Sequence, residues 1–124
     1  MITRVLICGG RDFSDRDYLF ESLDSFLLNY DAIEIVSGHA NGADKLGEEY
    51  AMLHGYSLKV FKAEWSKYGR AAGPVRNKQM LQYILEANPV IIAFWDGKSR
   101  GTKNMIDQGR KAGVEVHAFS YPIA

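Results

Sequence analysis

Arg11, Arg76, the run Ser37-Gly38-His39-Ala40-Asn41-Gly42-Ala43-Asp44 and the pair Gly101-Thr102 are the parts of this sequence whose types and spacing suit an anionic ligand. Arg11 follows Gly9-Gly10, and its planar guanidinium can grip a phosphate or carboxylate with two parallel N–H groups; Arg76, with Asn77 beside it, can do the same. The alternative for either arginine is a structural salt bridge to Asp12, Asp44 or Glu64. The run 37–44 joins the strand-like Ile33-Glu34-Ile35-Val36 to a helical pattern carried by Ala43, Leu46, Gly47, Tyr50, Ala51 and His54. Such a junction offers free backbone N–H groups and the positive end of a helix dipole. Ser37, Gly38, Asn41, Gly42 and Ala43 would supply the donors. Gly38 and Gly42 would let backbone approach the ligand or take φ > 0. The plainer alternative is a connector with Asn41 or Asp44 as helix cap. Gly101 and Thr102 would form a second anion nest at a later helix start. Trp65, Tyr68 and Trp95 can stack on a base, core burial being the alternative for Trp95. Asp96 or Asp44 can hold a ribose hydroxyl or cap a helix. For hydrolytic chemistry the carboxylates to consider are Glu64 first, then Asp12, Asp44 and Asp96.

Composition removes several functional classes. The chain of 124 residues carries 15 basic and 15 acidic side chains, so no overall basic footprint points to nucleic acid, which is an unexpected partner. A single cysteine, Cys8, rules out an intramolecular disulfide and fits a reducing, cytoplasmic location. No apolar run is long enough to cross a membrane and no signal-peptide pattern is present. His39, His54 and His117 lack metal-ligand spacing and Cys8 has no second cysteine, so neither a metal nor a cofactor is expected. His54 and His117 read as structural. The adjacent glycines after strand 1 do not make a G-x-G-x-x-G fingerprint, and Gly97-Lys98-Ser99 lacks the leading glycine of a P-loop, position 92 being Ile.

The elements that must position these residues alternate in type. Residues 2–8 read as strand 1, its Val5-Leu6-Ile7-Cys8 run typical of a strand covered on both faces. Ser14 then caps helix 1 with Asp17 as capping-box partner, and Leu19, Leu23, Phe26, Leu27 and Tyr30 form its apolar stripe. Strand 2 (33–36) and helix 2 follow, with Gly55 as the helix stop. Residues 57–63 alternate as strand 3, and 64–73 read as a loop. Helix 3 opens at Pro74 and runs to about residue 87, where Asn88-Pro89 ends it. Strand 4 (90–95), a polar loop, helix 4 with Thr102, Met105, Ile106 and Gly109 on one face, and strand 5 (114–119) complete the chain. The β-α-β-α-β-α-β-α-β order predicts one domain over residues 1–124: an α/β, Rossmann-like, doubly wound parallel sheet of five strands with helices on both faces. Ligands of such folds sit outside the carboxyl ends of the strands, where strand order reverses, and the unusual residues above all fall at those ends.

Gly9-Gly10-Arg11, then Ser37-Gly38-x-Ala40-x-Gly42-x-Asp44, then Gly101-Thr102 opening a helix resemble the SLOG superfamily, which joins the DNA-processing protein DprA and the LOG phosphoribohydrolases. The compact chain, with Gly-Gly-Arg-Asp-Phe at the first turn and Gly-Pro-x-Arg-Asn at helix 3, is most similar to the YspA-like branch. The resemblance implies a nucleotide or nucleotide-derived ligand, such as a nucleoside phosphate or an ADP-ribose-like molecule, bound by a sensor or binding protein. It also implies a homodimer or higher homo-oligomer. A LOG-like N-glycosidic or phosphoribosyl hydrolase is the alternative. LOG enzymes, however, place a catalytic glutamate within three residues of their Gly-Thr, and here Lys103, Asn104 and Met105 follow Gly101-Thr102. For DprA-like binding of single strands, a basic groove with stacking aromatics would be needed.

Overall fold

A computed structural model of the protein describes residues 1–121. The elements are β1 (Thr3–Gly9), α1 (Arg16–Leu27), β2 (Ile33–Ser37), α2 (Ala43–His54), β3 (Ser57–Val60), α3 (Trp65–Tyr68), α4 (Ala72–Ile84), β4 (Asn88–Trp95), α5 (Arg100–Lys111) and β5 (Glu115–Ser120). A 3-10 turn, Gly69–Ala71, joins α3 to α4. The strands form one parallel sheet in the order β3-β2-β1-β4-β5. This is the Rossmann-like arrangement expected, and strand order reverses between β1 and β4.

Alternation along the central strands explains their unbroken apolar runs. Val5 and Ile7 of β1 and Ile92 and Phe94 of β4 pack with Leu19, Leu23, Leu27, Tyr50 and Ala51 of α1 and α2. Leu6 and Cys8 with Ile91 and Ala93 face the other way, onto Met80, Leu81 and Ile84 of α4 and Met105 and Ile106 of α5. Each central strand is covered on both faces, so polar residues are excluded along it and collect at its end.

Local departures from the sequence reading have physical causes. Asp15, rather than Ser14, is the N-cap of α1, its carboxylate accepting from Tyr18 N–H at 3.1 Å. β3 stops at Val60 instead of residue 63, because β2 ends at Ser37; Phe61 N–H to Ser37 O at 2.8 Å is the last bond available. The segment 64–73 is α3, the 3-10 turn and the start of α4 rather than a loop. Neither α3 nor the turn buries a residue, so no apolar stripe announced them. β1 and β4 start at Thr3 and Asn88, which are paired to each other. Gly55 ends α2 in the left-handed conformation as expected, its N–H bonding back to the helix.

Candidate functional site

At the carboxyl ends of β1, β2 and β3 the surface folds in as two adjoining cavities. The first, of about 370 Å³, lies between the β1 turn and the starts of α2, α4 and α5. It is lined by Gly9, Gly10, Arg11, Asp44, Arg76, Asn77, Gly101 and Thr102, with Cys8, Met80 and Met105 supplying apolar surface. The second, of about 290 Å³, is lined by Arg11, Gly38, His39, Asn41, Lys62, Trp65 and Arg76. Arg11, Ala40 and Arg76 belong to both cavities and form the saddle between them. The structure therefore gathers most of the sequence candidates in one place.

Arg76 is the centre of that saddle. It extends from the first turns of α4, donates from Nη1 to Gly38 O at 3.1 Å, and holds its Nε buried without a hydrogen-bond partner among the described residues. Burial pushes the guanidinium below its ordinary range, while the nearby Asp44 carboxylate pulls the other way. No salt bridge within 4.0 Å involves Arg76 or Arg11 among the described residues. Two arginines thus face one cleft with donor capacity to spare, and a buried donor of a cation left unpaired costs more than the ~1–3 kcal/mol of a neutral one. Asp44, 4% exposed, sits beside them at the start of α2 and accepts from Ala40 N–H at 3.2 Å. Burial raises its pKa to about 6, against the lowering pull of the Ala40 bond and of Arg76. Burial likewise pushes the Cys8 thiol far up, so it stays protonated in the floor of the first cavity.

Several predicted donors turn out to have internal partners. Ala43 N–H donates to Gly10 O at 3.3 Å, and Thr102 N–H to the Ser99 hydroxyl at 3.4 Å. The Thr102 hydroxyl lies 3.0 Å from that of Ser99. Ser37 is fully buried; its hydroxyl donates to Glu48 Oε2 at 2.7 Å, approaches Asp44 O at 3.2 Å and accepts from His39 N–H at 3.1 Å. Asn77 ties α4 to α5 through Gly101 O at 3.2 Å and Asn104 Oδ1 at 3.0 Å. The glycine positions are explained by packing. A Cβ on Gly42 (φ 81) would lie 2.2 Å from Gly10 O, and one on Gly38 would lie 2.9 Å from Asp44 Oδ2 and 3.0 Å from Arg76 Nε.

Other candidates stand outside both cavities. Glu64, at the start of α3, is exposed and lines neither. Asp96 closes its own turn, accepting from the Lys98 and Ser99 N–H groups at 2.8 Å each, bonds that also lower its pKa. Trp95 packs against the α4/α5 core and donates from Nε1 to Ser99 O at 3.1 Å, which is core use rather than stacking. Tyr68 lines neither cavity, whereas Trp65, 52% exposed, stands over the second. His54 and His117 are packed residues as expected, His54 against Tyr50 and His117 against Phe26.

Sequence reasoning missed His39 and Lys62. His39 has φ 63 and is held through Nδ1 by Glu48 Oε2 at 2.9 Å. The available signal was the spacing Asp44, Glu48, Ala51, which puts Glu48 on the side of α2 that faces the turn. Lys62 lay inside a stretch read as strand, where its direction could not be assigned.

A parallel α/β sheet with polar turns and an arginine saddle at its switch point defines a small Rossmann-like domain. Residues 3–68 match the model of the YspA, cpYpsA-related SLOG family. The chain is also 31% identical over 122 residues to the Gene 61 protein of Mycobacterium phage D29, covering 94% of this chain and 95% of that one. This chain belongs to the YspA, cpYpsA-related SLOG family. Among the described residues no helix is long and apolar enough to cross a membrane, and no group of three or more His, Cys, Asp or Glu side chains is placed to hold a metal ion.

Proposed function

We propose that the protein binds a nucleotide or nucleotide-derived molecule, a nucleoside phosphate or an ADP-ribose-like compound, as a sensor or binding protein. The observation that carries this reading is Arg76, whose buried Nε has no hydrogen-bond partner among the described residues and whose guanidinium shares the saddle with Arg11, likewise unpaired among them. A phosphate there satisfies both, through charge-assisted contacts about twice as strong as neutral ones. The first cavity offers apolar surface from Cys8, Met80 and Met105 beside the polar Asp44, Asn77 and Thr102, a mixture suited to a nucleoside. Family membership supports the same ligand class.

A thermal-shift panel of nucleosides, nucleoside phosphates and ADP-ribose tests the reading. A ligand at 100 times its Kd stabilises by about 2.7 kcal/mol, a shift of several degrees for a domain of this size. At least one phosphate-bearing compound is expected to shift the melting temperature and its phosphate-free nucleoside is not; a flat panel rejects the reading.

Hydrolysis of an N-glycosidic bond is the second reading, and Asp44 is the observation that favours it. Its carboxyl, in the cleft with a pKa of about 6, can hold or release a proton near neutral pH. Self-association belongs to the proposal as well. Its support is the exposure of Met52 and Leu53 on α2, and a monomer in sedimentation at tens of micromolar (about the range where a ~1 µM dimer is assembled) would reject it.

A further inference from the structure

We propose that the ligand carries more than one phosphate, and that the cavity beneath Trp65 holds the outer phosphates while the first cavity holds the nucleoside. The inference rests on the nucleotide reading and adds the direction and charge of the ligand. Its basis is the contrast between the two cavities. Arg11, Lys62 and Arg76 bring three positive charges to the walls of the second, with His39 as a further nitrogen base, and among the described residues no Asp or Glu lines it. The first shares Arg11 and Arg76 but adds Asp12, Asp44 and the apolar floor of Met80 and Met105. Like charges gathered around one space repel, and only a multiply charged anion turns that repulsion into attraction at every wall. A single phosphate seated on the two arginines leaves Lys62 without a counter-charge; a di- or triphosphate extending from the saddle meets it.

The wall of this cavity is built before any ligand arrives. Residues 38–40 are fixed by Arg76 Nη1 to Gly38 O at 3.1 Å, His39 N–H to Ser37 Oγ at 3.1 Å and Ala40 N–H to Asp44 Oδ2 at 3.2 Å. His39 takes the left-handed conformation (φ 63), which in a non-glycine residue costs on the order of 1–3 kcal/mol and persists only where its surroundings enforce it. Glu48 fixes the ring through Nδ1 at 2.9 Å, so the ring's other nitrogen, Nε2, remains for the cavity. Size agrees with a shared ligand. The cavities, of about 370 and 290 Å³, together fall within the ~300–1,000 Å³ typical of ligand sites, and the saddle joins them.

Calorimetry without divalent cations decides the matter, using AMP, ADP and ATP (and the GMP, GDP and GTP series) on the wild-type protein and on Lys62→Met. Lys62 is exposed and makes no hydrogen bond among the described residues, so its replacement leaves the fold intact. In one series the triphosphate is expected to bind about tenfold or more tighter than the monophosphate, one charge-assisted contact. In Lys62→Met that ratio should collapse toward one. Equal affinity for mono- and triphosphate in the wild type, or an unchanged ratio in Lys62→Met, overturns the inference while monophosphate binding keeps the nucleotide reading. Absence of binding in both series overturns the inference, and absence of ADP-ribose binding as well overturns the nucleotide reading with it.

Discussion

Gly42, in the turn before α2, lies directly against the carbonyl of Gly10 at the end of β1: a Cβ on Gly42 would stand 2.2 Å from that oxygen. The next N–H, that of Ala43, bonds to the same carbonyl at 3.3 Å, so the two turns that frame the cleft are stitched backbone to backbone. The close approach that Gly42 permits is therefore to the protein's own chain.

Substitution at this position should act first on stability. Gly42→Ala combines φ 81 with contacts no real Cβ makes, to Gly10 and Arg11 backbone, which cannot move aside without displacing β1. A loss of about 1–3 kcal/mol is expected, more for Gly42→Val. Urea denaturation measures it; a variant as stable as the wild type would show that the two turns are not coupled.

Asp44 gives the protein a pH dependence of definite sign. Its carboxyl is raised from 3.8 to about 6, chiefly by burial, with Arg76, Arg11, Glu48, Cys8 and the Ala40 N–H around it. Between roughly pH 4 and pH 6 the native state then holds a proton that the unfolded chain has released. Stability contributed by this group is present below that window, falls as pH rises through it, and is constant above; the size is on the order of 2–3 kcal/mol. Asp44→Asn keeps an acceptor for Ala40 N–H and removes the titration. Urea midpoints from pH 4 to pH 7 should therefore decline more for the wild type than for the variant, and parallel curves would contradict the assignment.

The fold was legible because its signals are local and repeated. Val5-Leu6-Ile7-Cys8 and Val90 to Trp95 admit few readings besides strands covered on both sides, and Gly55 marks the end of α2 without tertiary help. The placement of Arg11 and Arg76 at one edge followed from topology. What the sequence did not contain was competition among donors. The Ser37 hydroxyl, Ala43 N–H and Thr102 N–H are all free in a diagram of helix ends, yet each finds an internal partner once the turns pack together. The turn-closing role of Asp96 and the exposure of Glu64 are likewise decided by loop geometry. His39 was passed over because its importance lies in a contact to Glu48 and a backbone angle, and neither has a sequence period.

LOG-type turnover is expected to be absent. The three residues after Gly101-Thr102 bring no carboxylate, and Glu64 lines neither cavity. Incubation with nucleoside monophosphates and ADP-ribose, followed by chromatography for free base and ribose phosphate, should show no release above background. Release that Asp44→Asn abolished would establish the hydrolase reading instead.

The central claim is that Arg76 and Arg11 hold an anionic group of the ligand, and calorimetric titration of AMP, ADP and ADP-ribose into the wild type, Arg76→Gln and Arg11→Gln tests it most directly. Arg11 is exposed and makes no hydrogen bond among the described residues, so its variant separates ligand contact from any structural effect of losing the Arg76–Gly38 bond. The wild type should bind at least one of the three, and each substitution should weaken that binding by about tenfold or more, the worth of a charge-assisted contact of roughly 1.5–3 kcal/mol. Binding that neither substitution changes, or no binding of any of the three to the wild type, would contradict the account.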